Sequence, residues 1–151
     1  MMDSSDPMQL ALEEARAAAT RGEVPVGAVV IDGMTGTVLA RAGNRVEELA
    51  DPTAHAEMLV IRAAAARQGP ARLAGCDLFV TLEPCTMCAS AIALARVRRL
   101  FFGAYDPKGG GVEHGARVFE LATCHHRLEV CGGLSEQAAA ALLREFFIQR
   151  R

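Results

Sequence analysis

The sequence predicts an α/β fold: a three-layer α/β/α sandwich around a mixed, about five-stranded central sheet. Three observations predict it. Two adjacent apolar runs joined by a glycine-containing turn read as an antiparallel pair. Later strands alternate with helices, and parallel neighbours need a connection long enough to hold a helix. Helical segments stand before, between and after the strands, enough to cover both faces of a sheet.

The elements follow in order. Asp6 is a good N-cap, Pro7 suits the first helical position, and Gln9 can complete a capping box. Met8, Leu12, Ala15 and Ala19 then share one face, and Gly22 is a stop signal. Val26 to Ile31 is a continuous apolar run, as expected for a strand buried on both faces, with Pro25 at its entrance. Asp32-Gly33 opens a turn, Gly36 closes it, and Val38 to Ala42 returns as the second strand. Asn44 to Asp51 reads as irregular. Asp51 is the expected N-cap of a helix from Pro52 to about Gln68, ended by Gly69-Pro70. Asp77 to Thr81 is a third strand. Pro84 is expected to start a helix that runs to about Ala95, and Leu100 to Gly103 is a fourth strand. Leu128 to Val130 is the expected fifth strand, and Ser135 the expected cap of a last helix with Ala138, Leu142 and Phe146 on one face. No internal repeat or linker interrupts the 151 residues, so one domain spanning 1-151 is expected.

Composition narrows the class. Half of the residues are hydrophobic, against disorder, and the net charge of −2 gives no general case for nucleic acid. Local basic clusters do occur, at Arg96, Arg98 and Arg99 and at Arg144, Arg150 and Arg151; each could equally be a solvated face. No apolar run approaches the ~20 residues of a membrane span. Met1 to Asp6 is acidic and polar, unlike a secretory leader. Five cysteines, two of them spaced Cys-x-x-Cys, then favour reduced thiols and metal binding in a cytoplasmic protein.

Two stretches carry the chemistry: Thr53-Ala54-His55-Ala56-Glu57 and Thr81-Leu82-Glu83-Pro84-Cys85-Thr86-Met87-Cys88. His55, Cys85 and Cys88 offer an imidazole and two thiols, a three-ligand zinc set with a fourth position for water. Cys85 and Cys88 stand three apart at a helix start, where the dipole favours the thiolate. Glu57 stands two residues from His55, a spacing that puts side chains on opposite sides of a regular helix. Both serve one site only if it lies off the helix end, so two helix N-termini should aim at the metal. The rival readings are a redox Cys-x-x-Cys and a structural zinc site with a fourth ligand from Cys124, His125, His126 or Cys131. His125-His126 beside Cys124 could also bind a second metal. Cys76 reads as a small buried hydrophobe. Lys108-Gly109-Gly110-Gly111 lacks the spacing of a phosphate-binding loop and reads as a flexible loop.

His55-Ala56-Glu57 with Pro84-Cys85-Thr86-Met87-Cys88 is the signature of the zinc nucleobase deaminases. The chain further resembles the bacterial tRNA adenosine deaminases at Glu23-Val24-Pro25-Val26-Gly27, Asn44-Arg45, Asp51 to Glu57 and Thr81 to Cys85. The likeness extends to Phe102-Gly103-Ala104 with Asp106 and Lys108, and to the ending from Phe146-Phe147 to Arg150-Arg151. The resemblance implies a cytidine deaminase-like fold, one zinc ion per subunit, a homodimer, and conversion of adenosine to inosine at the wobble position of a tRNA anticodon stem-loop. By the same resemblance Glu57 is the catalytic carboxylate and Asn44 hydrogen-bonds the target base. Val24 and Pro25 line the pocket, Asp106 and Lys108 contact neighbouring nucleotides, and Phe147 and Arg150 lie near the RNA. The segment Gly109 to Arg127 departs from the familiar pattern, and so does the longer turn between the first two strands. Two other functions compete: deamination of a free base or nucleoside such as guanine, cytosine or cytidine, and a non-catalytic zinc-stabilised RNA-binding module.

Overall fold

The computed structural model describes residues 6–150. Its elements are α1 (Pro7–Thr20), β1 (Gly27–Asp32), β2 (Val38–Gly43), α2 (Val46–Leu49), α3 (Ala56–Gln68), β3 (Cys76–Leu82), α4 (Thr86–Leu94), β4 (Arg99–Ala104), β5 (Glu129–Cys131) and α5 (Glu136–Gln149), with one 3-10 turn at Val118–Glu120. The five strands form one sheet in the order β2-β1-β3-β4-β5. β1 is antiparallel to both β2 and β3; β3, β4 and β5 are parallel. This is the expected mixed sheet.

β1 has a helix layer on each side. Its Ala28 and Val30 face a core with Val60 and Ala64 of α3 and Ala89 and Ile92 of α4. Its Val29 and Ile31 face the opposite way, against Met8, Leu10 and Ala11 of α1. Ala139 of α5 joins Leu12 on the α1 side. Gly27 lets α1 approach closely, since a Cβ there would lie 2.0 Å from the Ala11 carbonyl oxygen.

Strand direction gathers the site. Gly27 at the start of β1 pairs with Gly43 at the end of β2, and Leu82 at the end of β3 pairs with Ala104 at the end of β4. Segments 23–26, 44–45, 83–85 and 105–106 therefore emerge at one end of the sheet. Residues far apart in sequence become neighbours there.

Several local expectations need correction. Asn44 to Asp51 is not irregular throughout: Val46–Leu49 is one helical turn, because the buried Glu23 carboxylate accepts the amides of Glu47 and Glu48. Asp51 caps no helix. Its Oδ1 accepts from the amide and hydroxyl of Thr53 within a turn, and His55 is extended just before α3. α3 therefore starts four residues later than Pro52. α4 likewise starts at Thr86, with Cys85 rather than Pro84 at its entrance. Asp6 caps α1 through the Met8 amide, but Gln9 closes no capping box among the described residues. Ser135 precedes α5 with φ 57° and makes no capping bond through its side chain.

The basic cluster near Arg98 is structural. Arg98 and Arg99 both hydrogen-bond the buried Asp77 carboxylate, at 2.8 and 3.2 Å to Oδ2. Burial pushes Asp77 up; the two guanidinium groups outweigh it and hold the carboxyl below its ordinary value. Of the other cluster, Arg150 lies over the Phe146 ring at 3.8 Å, while Arg151 lies outside the described residues.

Candidate active site

His55 is the last extended residue before α3, and Cys85 the last before α4. Both helix N-termini point at the same spot, as the two-residue step from His55 to Glu57 requires. His55 Nδ1 lies 3.7 Å from Cys85 Sγ and 3.5 Å from Cys88 Sγ. A tetrahedral zinc with ordinary Zn–N and Zn–S bonds separates nitrogen from sulfur by about 3.6 Å. The three donors therefore fit one zinc ion, with Nδ1 as the ligating nitrogen. Sequence alone left that nitrogen undetermined. This is the only such metal-holding group among the described residues.

Of the alternative ligands, Cys124 and His126 are engaged elsewhere, and His125 is exposed. Cys124 Sγ donates to the His126 carbonyl, and His126 Nε2 lies 2.7 Å from the Val97 carbonyl. Cys131 is exposed on β5. They complete neither a fourth position nor a second metal site. Cys76 is buried, as expected.

The thiols share charge unequally. Cys85 is held down at about 4, first by the hydrogen bond from Cys88, with His55 adding to it. Cys88 is pushed up as the donor to Cys85 and by burial. The Cys85 hydrogen bond raises His55, with burial opposing it. Without metal Cys88 thus retains a proton that zinc must displace, so affinity depends on pH. Glu57 is buried at 4% exposure. Burial pushes its carboxyl up to about 7, reinforced by the Cys85 charge and opposed by its own backbone amide. A buried carboxyl beside the three metal donors is placed for proton transfer.

A cavity of about 630 Å³ opens over His55, Glu57 and Cys85. Asn44 is fixed at its edge: its Oδ1 accepts from Ala56 N at 2.8 Å, taking one of the free amides at the start of α3. The remaining polar group of Asn44, Nδ2, can only donate. Val24, Asp106, Phe146 and Arg150 also line the cavity. Lys108 and Phe147 instead line an adjoining depression with Tyr105 and Leu143, into which Val24 and Asp106 extend. Pro25 is buried just before β1 and lines neither.

Sequence reasoning missed Glu23, Phe146, Glu83 and His114. Glu83 stood inside a quoted motif, but nothing in that motif shows what its carboxylate meets. Burial pushes Glu83 up, and the amides of Asp106, Glu113 and Val112 with the His114 ring outweigh it, holding it below its ordinary value. The triple glycine is also not a free loop. Gly110 and Gly111 are buried, and a Cβ at Gly110 would lie 2.4 Å from Glu83 Oε2.

Residues 1–104 match the family described as the cytidine and deoxycytidylate deaminase zinc-binding region. Fold and donor set together define a zinc-dependent deaminase. A tRNA-specific adenosine deaminase from Agrobacterium fabrum is 56% identical over 151 residues, covering 100% of this chain and 98% of its own. A solved structure from work on A-to-I editing by tRNA:A34 deaminases is 58% identical with TM-score 0.88, over 91% of this chain and 98% of that one. A guanine deaminase from Nitrosomonas europaea is more distant: 28% identical, TM-score 0.81, over 97% of this chain and 85% of that one. The chain belongs to the tRNA-specific adenosine deaminase branch of the zinc-dependent deaminases.

Proposed function

We propose that this protein hydrolyses adenosine to inosine, with release of ammonia, at the wobble position of a tRNA anticodon. The observation that carries the reading is a buried carboxylate, Glu57, beside a His55–Cys85–Cys88 set that has no need of it as a ligand. Zinc, when bound, supplies Lewis acidity that brings the pKa of water toward neutrality. Glu57 takes the proton of the attacking water, passes it to the purine ring and helps to protonate the leaving amine. Asn44 donates from Nδ2 to the base, and Val24 packs on it. An anticodon loop is single-stranded, which makes unstacking the base inexpensive. Asp106 and Lys108 meet flanking nucleotides, and Phe147 and Arg150 form the outer rim, an aromatic ring and a cation of the kind that holds single-stranded RNA.

A second reading, deamination of a free base, is favoured by the likeness to the guanine deaminase. The experiment is purified zinc-loaded protein on an anticodon stem-loop with wobble adenosine, with guanine and cytidine in parallel. Inosine is the expected product; guanine turnover without inosine overturns the proposal.

The protein acts as a homodimer in the cytoplasm under this proposal. Exposed Leu94 and Leu121 flank a groove whose apolar residues Ala93, Val118 and Cys124 alternate with the polar Ser90, Arg96, Thr123 and His125, mixed surface that a second copy can cover. All five cysteines are free, in keeping with a reducing compartment. Light scattering at the mass of one chain would refute the dimer.

A further inference from the structure

The Glu83 side chain is fully buried, yet its two oxygens accept five hydrogen bonds from one loop. Oε1 takes the Asp106 amide at 3.0 Å and the His114 ring Nδ1 at 2.8 Å. Oε2 takes the amides of Val112, Glu113 and His114 at 3.2, 2.8 and 3.0 Å. One carboxylate therefore ties both ends of segment 106–114 to the strand end that leads, two residues later, into Cys85. The Gly111 amide, bonded to the Pro84 carbonyl at 2.8 Å, adds a second tie. Between these ties Asp106 and Gly109 line the cavity.

We propose that Glu83 is a positioning residue for the substrate cleft: through the Asp106 amide it sets the wall formed by segment 106–114 in register with the turn that carries Cys85. The inference rests on the proposed use of that cavity for substrate. Glu83 itself touches no reacting atom.

Hydrogen-bond inventory gives a selective test. In Glu83→Gln the amide oxygen can take the place of Oε2 and keep the amides of residues 112–114. The amide NH2 then occupies the place of Oε1. His114 can accommodate it by exposing an unprotonated Nδ1, because a neutral imidazole has one donor and one acceptor nitrogen. The Asp106 amide cannot, since donor then faces donor. The substitution therefore frees one amide and leaves the rest of the loop bonded.

The experiment measures zinc content, amide hydrogen exchange, and KM and kcat for wild type and Glu83→Gln. Loss of one buried hydrogen bond predicts exchange at Asp106 faster by about tenfold, with residues 112–114 changed less than about threefold. It also predicts KM for the stem-loop higher by about tenfold, kcat changed less than about threefold, and zinc retained. Gly110→Ala, which crowds the same carboxylate from the loop side, should shift KM in the same direction with zinc retained, and it keeps the test open if Glu83→Gln does not fold. An unchanged Asp106 amide, uniform loosening of all four amides, or zinc loss with a fall in kcat overturns the assignment. The exchange measurement needs no substrate, so it stands even if the stem-loop is not turned over. In that event KM is read with guanine, and failure of the RNA reading stays separate from failure of this one.

Discussion

Under the proposed function Asn44 has two jobs at opposite ends of one amide, and substitution can separate them. Its Oδ1 accepts the Ala56 amide at 2.8 Å at the start of α3, and its Nδ2 donor lines the cavity. Asn44→Asp keeps the acceptor, and a carboxylate at a helix N-terminus is favourable. It removes the donor and places an acceptor where the base needs a donor. The helix should therefore stand, zinc should bind, and only substrate recognition should suffer. Losing that donor and leaving its partner unsatisfied costs about 1.5–3 kcal/mol, roughly a 10–150-fold drop in kcat/KM. Asn44→Ala removes both functions. It should match that drop and also lower stability by about 1–2 kcal/mol, because the Ala56 amide loses its cap. Thermal unfolding, zinc content and inosine formation on both variants are the assay. An Asn44→Asp protein with wild-type kcat/KM, or one as destabilised as Asn44→Ala, would refute the division of roles.

Three other outcomes follow from the same geometry. Glu57→Gln should keep its zinc and lose about 10²–10⁴-fold in turnover, the range of a general acid–base group; zinc lost with the carboxylate would make Glu57 a ligand instead. Asp77→Asn should lower stability at pH 7 by about 1–2 kcal/mol, a modest figure because Arg98 and Arg99 stay partly solvated. Asp77 has a folded value below its unfolded value near 3.8, so its contribution is full above 3.8 and is lost as pH falls through the folded value. Urea titrations should therefore show the two proteins converging in acid; a constant gap would remove Asp77 ionisation as the cause. Gly27→Ala should cost at least about 1–3 kcal/mol, since its Cβ would meet the α1 backbone at 2.0 and 2.6 Å, and an unchanged melting temperature would contradict that packing.

The zinc set was legible because ligand chemistry is local. Cys85 and Cys88 are one helical turn apart, and the two-residue step to Glu57 demands a site off a helix end. Strands buried on both faces were legible as apolar runs such as Val26 to Ile31. Helix starts were not. Pro52 and Pro84 looked like first helical residues, yet Thr53 lies in a turn bonded to Asp51, and the extended residues His55 and Cys85 directly precede α3 and α4. Glu23 and Glu83 were illegible for a related reason: each buried carboxylate gathers backbone amides more than twenty residues away, and amides leave no trace in side-chain patterns. The glycines at 110 and 111 looked like freedom and are closeness, since only the fold brings Glu83 and Thr86 against them.

Under the proposed function the cavity over His55, Glu57 and Cys85 takes an adenosine presented by RNA. The most direct measurement is the ratio of kcat/KM for a wobble-adenosine stem-loop to that for free guanine, on one preparation of zinc-loaded protein at fixed salt. A site built for RNA-borne adenosine should give a ratio far above one, with inosine found only at the wobble position. A ratio below one, with guanine converted and the stem-loop intact, would contradict it.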